Sequence, residues 1–277
     1  MSSRVRARIE ALPPTFDRVL RRRRFRQRRL VEDALRRPDL LQRFRAGSTL
    51  PPGYGVGLDE RVVEHPWLLA QELKGTLLDA GSSLNHRHIV DQLLPRLSAL
   101  TIATLAPEPA SLHRSSLSYV YADLRELPFP DGCFDVVASI STLEHVGMDN
   151  SRYGGGSGRS PDPDRELERA VRELLRVLAP NGTLFVSVPY GLPEDLGWLR
   201  QFDREGVERF ATWASPRAAT VVVYRYAGHG WQLSDLGQAA DARYRDLARE
   251  PRPADGASNA RAVACLRLTL VEPVGGP

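Results

Sequence analysis

Apolar residues fall in short runs from residue 75 onwards, and several of the stretches between them have the spacing of amphipathic helices. The runs predict strands at 76–79, 100–105, 118–122, 134–140, 183–188, 220–226 and 262–271. The intervening patterns predict helices at 85–97, 165–178, 203–213 and 233–249. Strands that alternate with helices indicate right-handed crossovers and a mostly parallel sheet covered on both faces, which is an α/β fold.

Glycines and prolines between residues 47 and 57 interrupt a helical pattern that precedes them. We therefore divide the chain into a helical arm at 1–46, a linker and flap at 47–74, and a main domain at 75–277. With 277 residues and 42% hydrophobic content, the chain is long enough to bury one sizeable core.

Positive charge is concentrated in the arm, where residues 1–45 contain 15 arginines and five acidic residues. A solvated helix in an arginine-rich protein is one interpretation, because only one of the 38 basic residues, Lys74, is a lysine. Contact with an anionic membrane or an acidic partner is the other. Nucleic acid is disfavoured as a partner, since the aromatic residues Phe16, Phe25 and Phe44 are scattered rather than arranged to stack bases.

Several other classes of site are disfavoured by the sequence. Cys133 and Cys265 are far apart, which predicts neither a disulfide framework nor a zinc site, and we expect no bound metal. The loop after Asp79 lacks the lysine of a phosphate-binding loop, the flanking glycines of a hydrolase nucleophile and the full dinucleotide fingerprint. No apolar run is long enough for a membrane span, and no signal-peptide pattern is present, so we expect a cytoplasmic protein, with peripheral membrane contact through the arm as an option.

Ligands of parallel sheets bind at the carboxyl ends of the strands, which directs attention to two acidic residues. Asp79 ends the first predicted strand and Asp123 follows the third. Each carboxylate is placed to accept hydrogen bonds from a ligand, and each is equally suited to cap a helix or turn.

Three segments carry a resemblance: "LLDAGSS" at 77–83, "ADLRELPFPDGCFDVVASISTLEHVG" at 122–147 and "RELLRVLAPNGTLFVSVPYG" at 172–191. Together they resemble the class I S-adenosylmethionine-dependent methyltransferase family, in its small-molecule, type 11-like branch. A weaker likeness connects "DERVVEHPWLL" at 59–69 with members found in glycan and polysaccharide synthesis. The resemblance implies a Rossmann-like sheet of seven strands with the last strand antiparallel, and S-adenosylmethionine as the cofactor.

The resemblance also implies a cofactor site. Asp79, Ala80 and Gly81 would form the turn against the methionine part of the cofactor. Asp123 and Leu124 would flank the adenine, with Asp123 accepting from its amino group.

Further along, Ser139 and Ser141 would line the cavity beneath the sulfonium. Two departures from the family pattern stand out. Ser82 and Ser83 replace later glycines, and Thr104 replaces the acidic residue that holds the ribose hydroxyls, with Glu108 four residues on.

His145 is the first candidate for a base, because it follows the fourth predicted strand and has an ordinary pKa near 6.5. Glu144 could orient it or cap the next helix, and the alternative is that both residues merely hold a loop. Tyr153 and Tyr190 are rim candidates, and the glycine-rich stretch after Tyr153 is either a lid or a plain insertion.

The sequence thus predicts methyl transfer to a small or glycan-linked acceptor, most simply a hydroxyl. A scaffold or binding module with the same fold and little activity is the first alternative. A nucleic-acid methyltransferase is the second.

Overall fold

The computed structural model describes residues 14–108, 111–153, 158–247, 249–251, 253–257 and 259–270. Within these ranges the helices are α1 (Pro14–Leu35), α2 (Pro38–Ala46), α3 (Arg61–Leu69), α4 (Arg87–Leu93), α5 (Pro163–Val177) and α6 (Arg204–Ala214). The strands are β1 (Thr76–Ala80), β2 (Ala99–Thr104), β3 (Leu117–Tyr121), β4 (Phe134–Ile140), β5 (Leu178–Pro189), β6 (Glu194–Asp195), β7 (Arg200–Gln201), β8 (Ala218–Ala227), β9 (Gly230–Ser234) and β10 (Ala262–Thr269). All seven strands predicted from the apolar runs are confirmed.

Eight strands form one sheet in the order β3-β2-β1-β4-β5-β10-β8-β9, and β6 pairs with β7 alone. The five strands from β3 to β5 are parallel, whereas β10 runs antiparallel to both of its neighbours, β5 and β8. The predicted antiparallel last strand is therefore confirmed. The expected count of seven is wrong by one, because β9 folds back on β8 as an edge strand.

The helix predicted at 233–249 is wrong, because its first residues belong to β9 and the rest forms turns without a helix in the described part. Trp231 is fully buried and its indole Nε1 donates to the carbonyl of Leu58 at 3.2 Å, which fixes β9 at the sheet edge. Asp235 then accepts from the backbone of Gly237 and Gln238 at 2.7 and 2.8 Å, an arrangement that closes a tight turn.

Helix ends follow their local signals. Asp162 caps α5 by accepting from the Arg165 backbone, and Pro163 occupies the first turn, where its missing N–H has no cost. Asp203 caps α6 in the same way through Gly206. The helix predicted at 85–97 is shorter than expected: α4 ends at Leu93 and continues as a 3-10 turn at Leu94–Arg96.

Two apolar clusters lie on the two faces of the sheet. One contains buried residues of α1 to α4, among them Val31, Phe44, Trp67 and Ile89. The other contains residues of α5 and α6, among them Val171 and Phe210. The arm and the segment at 47–74 thus contribute side chains to the same core as the sheet, and eight of the nine α3 residues are buried.

Within the residues that the structure describes, no helix combines the length and apolarity that a membrane crossing requires. Residues 1–13 of the arm and 154–157 of the glycine-rich stretch lie outside the described residues.

Candidate functional site

A cavity of about 520 Å³ opens at the carboxyl ends of β1 to β4. Gly81 after β1, Thr104 at the end of β2, Asp123 after β3 and Ser141 after β4 all line it. This is the place where ligands bind in parallel sheets, because the loops that follow neighbouring strands diverge there. Gly81, Thr104, Asp123, Leu124, Ser141 and His145 are the predicted site residues that the structure brings together around this cavity.

The turn after β1 is tightly packed from below. Gly81 has a φ of +121°, and its N–H donates to the carbonyl of Ala103 at 2.9 Å. A Cβ at this position would lie 2.1 Å from Oγ1 of Thr142, so only glycine fits. Ser82 follows with a φ of +64° and is buried, and its Oγ has no hydrogen-bond partner among the described residues.

Asp79 lies behind this turn rather than on the cavity wall. It is fully buried, and its Oδ2 accepts from the Leu84 backbone at 2.9 Å, so it ties the turn to the start of the next segment. Oδ1 has no partner among the described residues. Burial raises the pKa of Asp79 to about 7. Ala80 is buried too, and neither residue lines the cavity, so the predicted direct contact with the cofactor is limited to Gly81.

The carboxylate of Glu108 lies at the end of β2, although the strand itself ends in Thr104. Glu108 folds back so that its Oε1 lies 3.4 Å from Oγ1 of Thr104, while its Oε2 accepts from Nδ2 of Asn85 at 3.2 Å. Both Thr104 and Glu108 line the cavity. The missing acidic residue is thus replaced in space by one that follows it by four positions.

Asp123 is engaged by a residue that the sequence patterns did not single out. Arg125 donates to both carboxylate oxygens of Asp123, at 2.9 and 2.6 Å, and also to Glu166 at 2.5 Å. Partial burial by itself raises the pKa of Asp123, but the contacts with Arg125 outweigh it, so the pKa is lowered. Leu124 is buried beside it and offers an apolar wall.

Ser139 in β4 and Ser141 just after β4 have different roles. Ser139 is buried and donates to the carbonyl of Ala80 at 3.1 Å. It does not line the cavity, which corrects the prediction for this residue, because its side chain points back between β4 and β1. Ser141 does line the cavity, with a φ of +43°.

His145 lies on the cavity wall between two aromatic rings. Its ring is stacked on Trp198 with centroids 5.3 Å apart, and Tyr153 contacts it edge-on at 5.1 Å. Nδ1 is 2.9 Å from the carbonyl oxygen of Trp198, and Nε2 is 3.9 Å from Oε1 of Glu144. Glu144 is buried, which raises its pKa to about 8.

Tyr153 is 45% exposed at the cavity rim, as expected for a rim residue. Tyr190 is fully buried, and its hydroxyl donates to the carbonyl of Leu236 at 2.5 Å. The prediction of Tyr190 as a rim residue is therefore wrong, because it packs in the core on the α5 and α6 side of the sheet. No group of three metal-ligating side chains suited to an ion occurs among the residues that can be described.

The sequence patterns did not identify Arg61 and Arg125 as cavity-lining residues. Arg61 lies in the stretch "DERVVEHPW", for which only a covering role was expected. The one available signal was the pair Arg61 and Glu64, three residues apart on a helix whose other residues, apart from His65, are apolar.

Comparison with known proteins gives a family for this part of the chain. Residues 80–186 match the family described as "Methyltransferase domain". The 27-O-demethylrifamycin SV methyltransferase of Amycolatopsis mediterranei (strain S699) is 34% identical over 89 residues. That match covers 30% of this chain and 26% of the relative, so the chain spans about a quarter of that protein's length.

Solved structures with a similar arrangement include the YcgJ protein from Bacillus subtilis, with 13% identity and a TM-score of 0.45 over 76% of this chain and 98% of that one. The 1,6-didemethyltoxoflavin-N1-methyltransferase of Burkholderia thailandensis, solved with 1,6-didemethyltoxoflavin and S-adenosylhomocysteine, has 13% identity and a TM-score of 0.43 over 71% of each chain. Residues 80–186 are therefore similar to this methyltransferase family, and the strand order with an antiparallel β10 is that of a Rossmann-like α/β fold.

Proposed function

We propose that the protein binds S-adenosylmethionine in the cavity at the ends of β1 to β4 and transfers its methyl group to a small or glycan-linked acceptor. The observation that carries the proposal is the cavity itself, which brings the Gly81 turn, the Thr104 and Glu108 pair, the Asp123 and Leu124 segment and His145 around one volume of about 520 Å³. Volumes of this size are typical of small-molecule sites.

The residues present fit the cofactor in three places. The buried hydroxyl of Ser82, which lacks a partner among the described residues, offers a polar atom at the turn for the amino-acid end. Glu108 offers its carboxylate to the ribose hydroxyls, since it occupies the end of β2 where Thr104 alone would be a neutral acceptor.

Leu124 offers an apolar surface to the adenine ring. Asp123 accepts from the adenine amino group only in addition to its two contacts with Arg125, so we expect it to contribute less than a carboxylate without such a partner.

When bound, the cofactor supplies a methyl group that its positive sulfur already activates. The protein then has mainly to position the acceptor and to take up a proton. His145 is suited to proton uptake, because it lies on the cavity wall and its Nδ1 contact with a carbonyl oxygen leaves Nε2 as the basic nitrogen.

A hydroxyl acceptor is the form of substrate that most needs such a base. The relative from Amycolatopsis, whose name describes methylation at an oxygen, supports the same choice. An acceptor screen with free and glycan-linked hydroxyl compounds, carried out after cofactor binding is measured, distinguishes the two kinds of acceptor.

Isothermal titration calorimetry with S-adenosylmethionine and S-adenosylhomocysteine tests the proposal. We expect saturable binding of both ligands at one site per chain, with dissociation constants in the micromolar range. This range corresponds to a binding free energy of about −8 kcal/mol. Absence of binding at millimolar ligand would contradict the proposed methyltransferase activity and favour a scaffold with the same fold.

We also propose that α1 makes peripheral contact with an anionic membrane. Phe25 is 60% exposed on the basic helix, and Val56 is 40% exposed across a shallow groove from it. An exposed aromatic ring among arginines is the pattern of an interfacial helix, whereas a purely solvated helix has no need of it.

A further inference from the structure

Helix α3 inserts one fully buried carboxylate between the ends of two central strands. Oε1 of Glu64 accepts from the hydroxyl of Ser141, after β4, at 2.6 Å and from the hydroxyl of Ser187, in β5, at 2.7 Å. Its Oε2 accepts from Nη1 of Arg61 at 2.5 Å. Three different elements therefore meet at one side chain, and every hydrogen bond to it has a charged acceptor, which makes these bonds stronger than neutral ones.

Two of the residues that Glu64 holds line the cavity. Ser141 has a φ of +43°, which is unusual for a residue other than glycine, and its backbone N–H donates to the carbonyl of Ser187 at 2.9 Å. Arg61 is the second, with a side chain 27% exposed on the cavity wall. Glu64 itself does not line the cavity, so its effect on a ligand would pass through these two residues.

Arg61 lines the same cavity as Ser82 and Ser83 of the turn that follows β1. Burial raises the pKa of Asp79, just before the turn, and lowers the pKa of His86, just after it; the charge of Arg61 opposes the first shift and adds to the second. The pKa of His65 is lowered too, first by burial and then by the charge of Arg61. The charge of Arg61 therefore acts on residues at both ends of the turn, where the amino-acid end of the cofactor is proposed to lie.

The guanidinium keeps donors for a ligand. It has five N–H groups, and its hydrogen bond with Glu64 uses only Nη1. Two further carboxyl groups, Glu60 and Glu144, lie close enough to act on Arg61 electrostatically. Burial raises the pKa of both, which favours their neutral forms.

We propose that Arg61 binds the carboxylate of the ligand's amino-acid end, and that Glu64 is a positioning residue that holds Arg61 and Ser141 in place for it. A planar guanidinium can donate two parallel hydrogen bonds to a carboxylate. Because Glu64 already holds the Arg61 side chain, less conformational entropy is lost when the ligand binds. This inference rests on the proposed function, because it assigns a part of the same site.

Two ligands distinguish carboxylate binding by Arg61 from a structural role that would affect any ligand of the cavity. S-Adenosylhomocysteine carries the amino-acid end, whereas 5′-methylthioadenosine has the same adenosine and thioether without any carboxylate. Calorimetry on the full-length protein should show that Arg61→Gln weakens binding of S-adenosylhomocysteine by about tenfold to a hundredfold, the loss expected for a charge-assisted pair, and weakens binding of 5′-methylthioadenosine by less than about twofold.

Glu64→Gln should lower the affinity for S-adenosylhomocysteine by a smaller factor, about threefold to tenfold, because Arg61 remains but is no longer held. Arg125→Gln is the matched control: Arg125 lines the other end of the same cavity, beside Asp123, so its loss should change the affinity for both ligands by the same factor. Arg61→Lys keeps the charge beside Glu64 in case Arg61→Gln does not fold, and it should give an intermediate loss for S-adenosylhomocysteine alone.

An equal loss for both ligands in the Arg61 variants would overturn the inference and leave Arg61 as a structural partner of Glu64. Unchanged affinity for both would overturn it as well. If the wild-type protein bound neither ligand, both the proposed function and this assignment would be wrong. If the wild type bound both ligands and the variants did the same, only this assignment would be wrong.

Discussion

His145 is held in one tautomer by its surroundings. The carbonyl oxygen of Trp198 can only accept a hydrogen bond, so Nδ1, 2.9 Å away, carries the ring proton and Nε2 has the lone pair. The stacked indole of Trp198 and the edge of Tyr153 fix the plane of the ring. A base needs this kind of support, because proton transfer depends on the direction of the lone pair.

We expect His145→Ala to lower kcat by about 100-fold to 10,000-fold, the usual contribution of a general base, with less than about a twofold change in the dissociation constant for S-adenosylmethionine. Turnover is followed as S-adenosylhomocysteine release once an acceptor is found, and cofactor affinity by calorimetry. His113→Ala, at an exposed position away from the cavity, serves as the control and should behave as wild type. Wild-type turnover in His145→Ala would remove His145 from the catalytic role.

Glu144 makes a pH-dependent contribution to stability, which can be measured separately from those of other groups by comparing the wild type with a variant. Burial raises its pKa from 4.5 to about 8, so the folded state holds a proton that the unfolded state releases between these pH values. Its contribution to stability is complete below pH 4.5 and is lost as the pH rises to about 8. Asp79 acts in the same direction up to about pH 7, whereas the lowered pKa of His65, His86 and His88 acts in the opposite direction.

The difference between wild type and Glu144→Gln cancels those other groups. We expect the free energy of unfolding of the variant, minus that of the wild type, to rise by at most about 1.4 kcal/mol per pH unit between about pH 5 and 8. Above that range the difference should stay constant. Urea unfolding at a series of pH values measures this, with Glu126→Gln at an exposed surface position as the control. A difference that does not change with pH would mean that Glu144 is ionised in the folded protein.

The residues of the site were only partly predictable, for a physical reason that Thr104 and Glu108 illustrate. The periodicity located the end of β2 and showed that a neutral residue stands there. It could not show that the loop brings the carboxylate of Glu108 back to within 3.4 Å of Thr104, because the path of an irregular loop is decided by tertiary contacts such as that of Asn85. Arg61 was missed for the same reason, since its helix reaches the cavity only through packing on the sheet.

At the scale of elements, the strands were predictable because each is a short apolar run with turn residues on both sides. The segment at 233–249 was not, since its alanines, leucines and arginines favour a helix while Trp231, just before it, requires a place in the core. Burial of one large indole outweighs a few tenths of a kcal/mol per residue of helix propensity. The additional strand β9 is the result.

The turn between β1 and α4 depends on the strand beside it, which gives a prediction for Gly81. Gly81→Ala requires a left-handed backbone and places a methyl group 2.1 Å from Oγ1 of Thr142, so we expect a loss of about 2–4 kcal/mol in unfolding free energy and weaker binding of S-adenosylhomocysteine. Combining it with Thr142→Gly removes the clash but not the backbone strain, and should recover part of the loss.

Gly228→Ala is the matched control, because no heavy atom lies within 4 Å of a Cβ built there. Chemical denaturation compares these variants with the wild type directly. If Gly81→Ala were as stable as Gly228→Ala, the turn would have to adopt another backbone path, and the geometry of the cavity would need revision.

At the scale of the whole molecule, α1 is joined to the segment that leads into α3, because Arg23 pairs with Asp59 at 3.7 Å. Arg24 contributes, after burial and Arg61, to lowering the pKa of His86, a residue that lines the cavity. Within the part of the chain that is described, Arg22, Arg24, Arg26 and Arg29 form no ion pair with a carboxylate, whereas Arg23 pairs with Asp59 and Arg28 with Glu32. A bilayer bound at this face would lie beside the opening through which an acceptor enters.

We expect the protein to sediment with vesicles of phosphatidylcholine and phosphatidylglycerol but not with phosphatidylcholine alone, and to be released at high salt, because each arginine near an anionic surface contributes about 1 kcal/mol that salt screens. Phe25→Glu and the pair Arg24→Gln with Arg29→Gln should each reduce binding strongly. Point variants are preferable to removing residues 1–45, since that deletion also takes Val31 and Phe44 out of the core.

The control pair, Arg165→Gln with Arg217→Gln, removes the same charge from exposed positions elsewhere and should leave vesicle binding unchanged. The comparison is decisive because net charge alone would make both pairs equivalent, whereas a docking face makes only the α1 pair matter. Equal vesicle binding by the two pairs would show that α1 is a solvated helix. Tighter binding to duplex DNA than to anionic vesicles would instead favour a nucleic-acid partner, for which the exposed ring of Phe25 by itself offers little stacking surface.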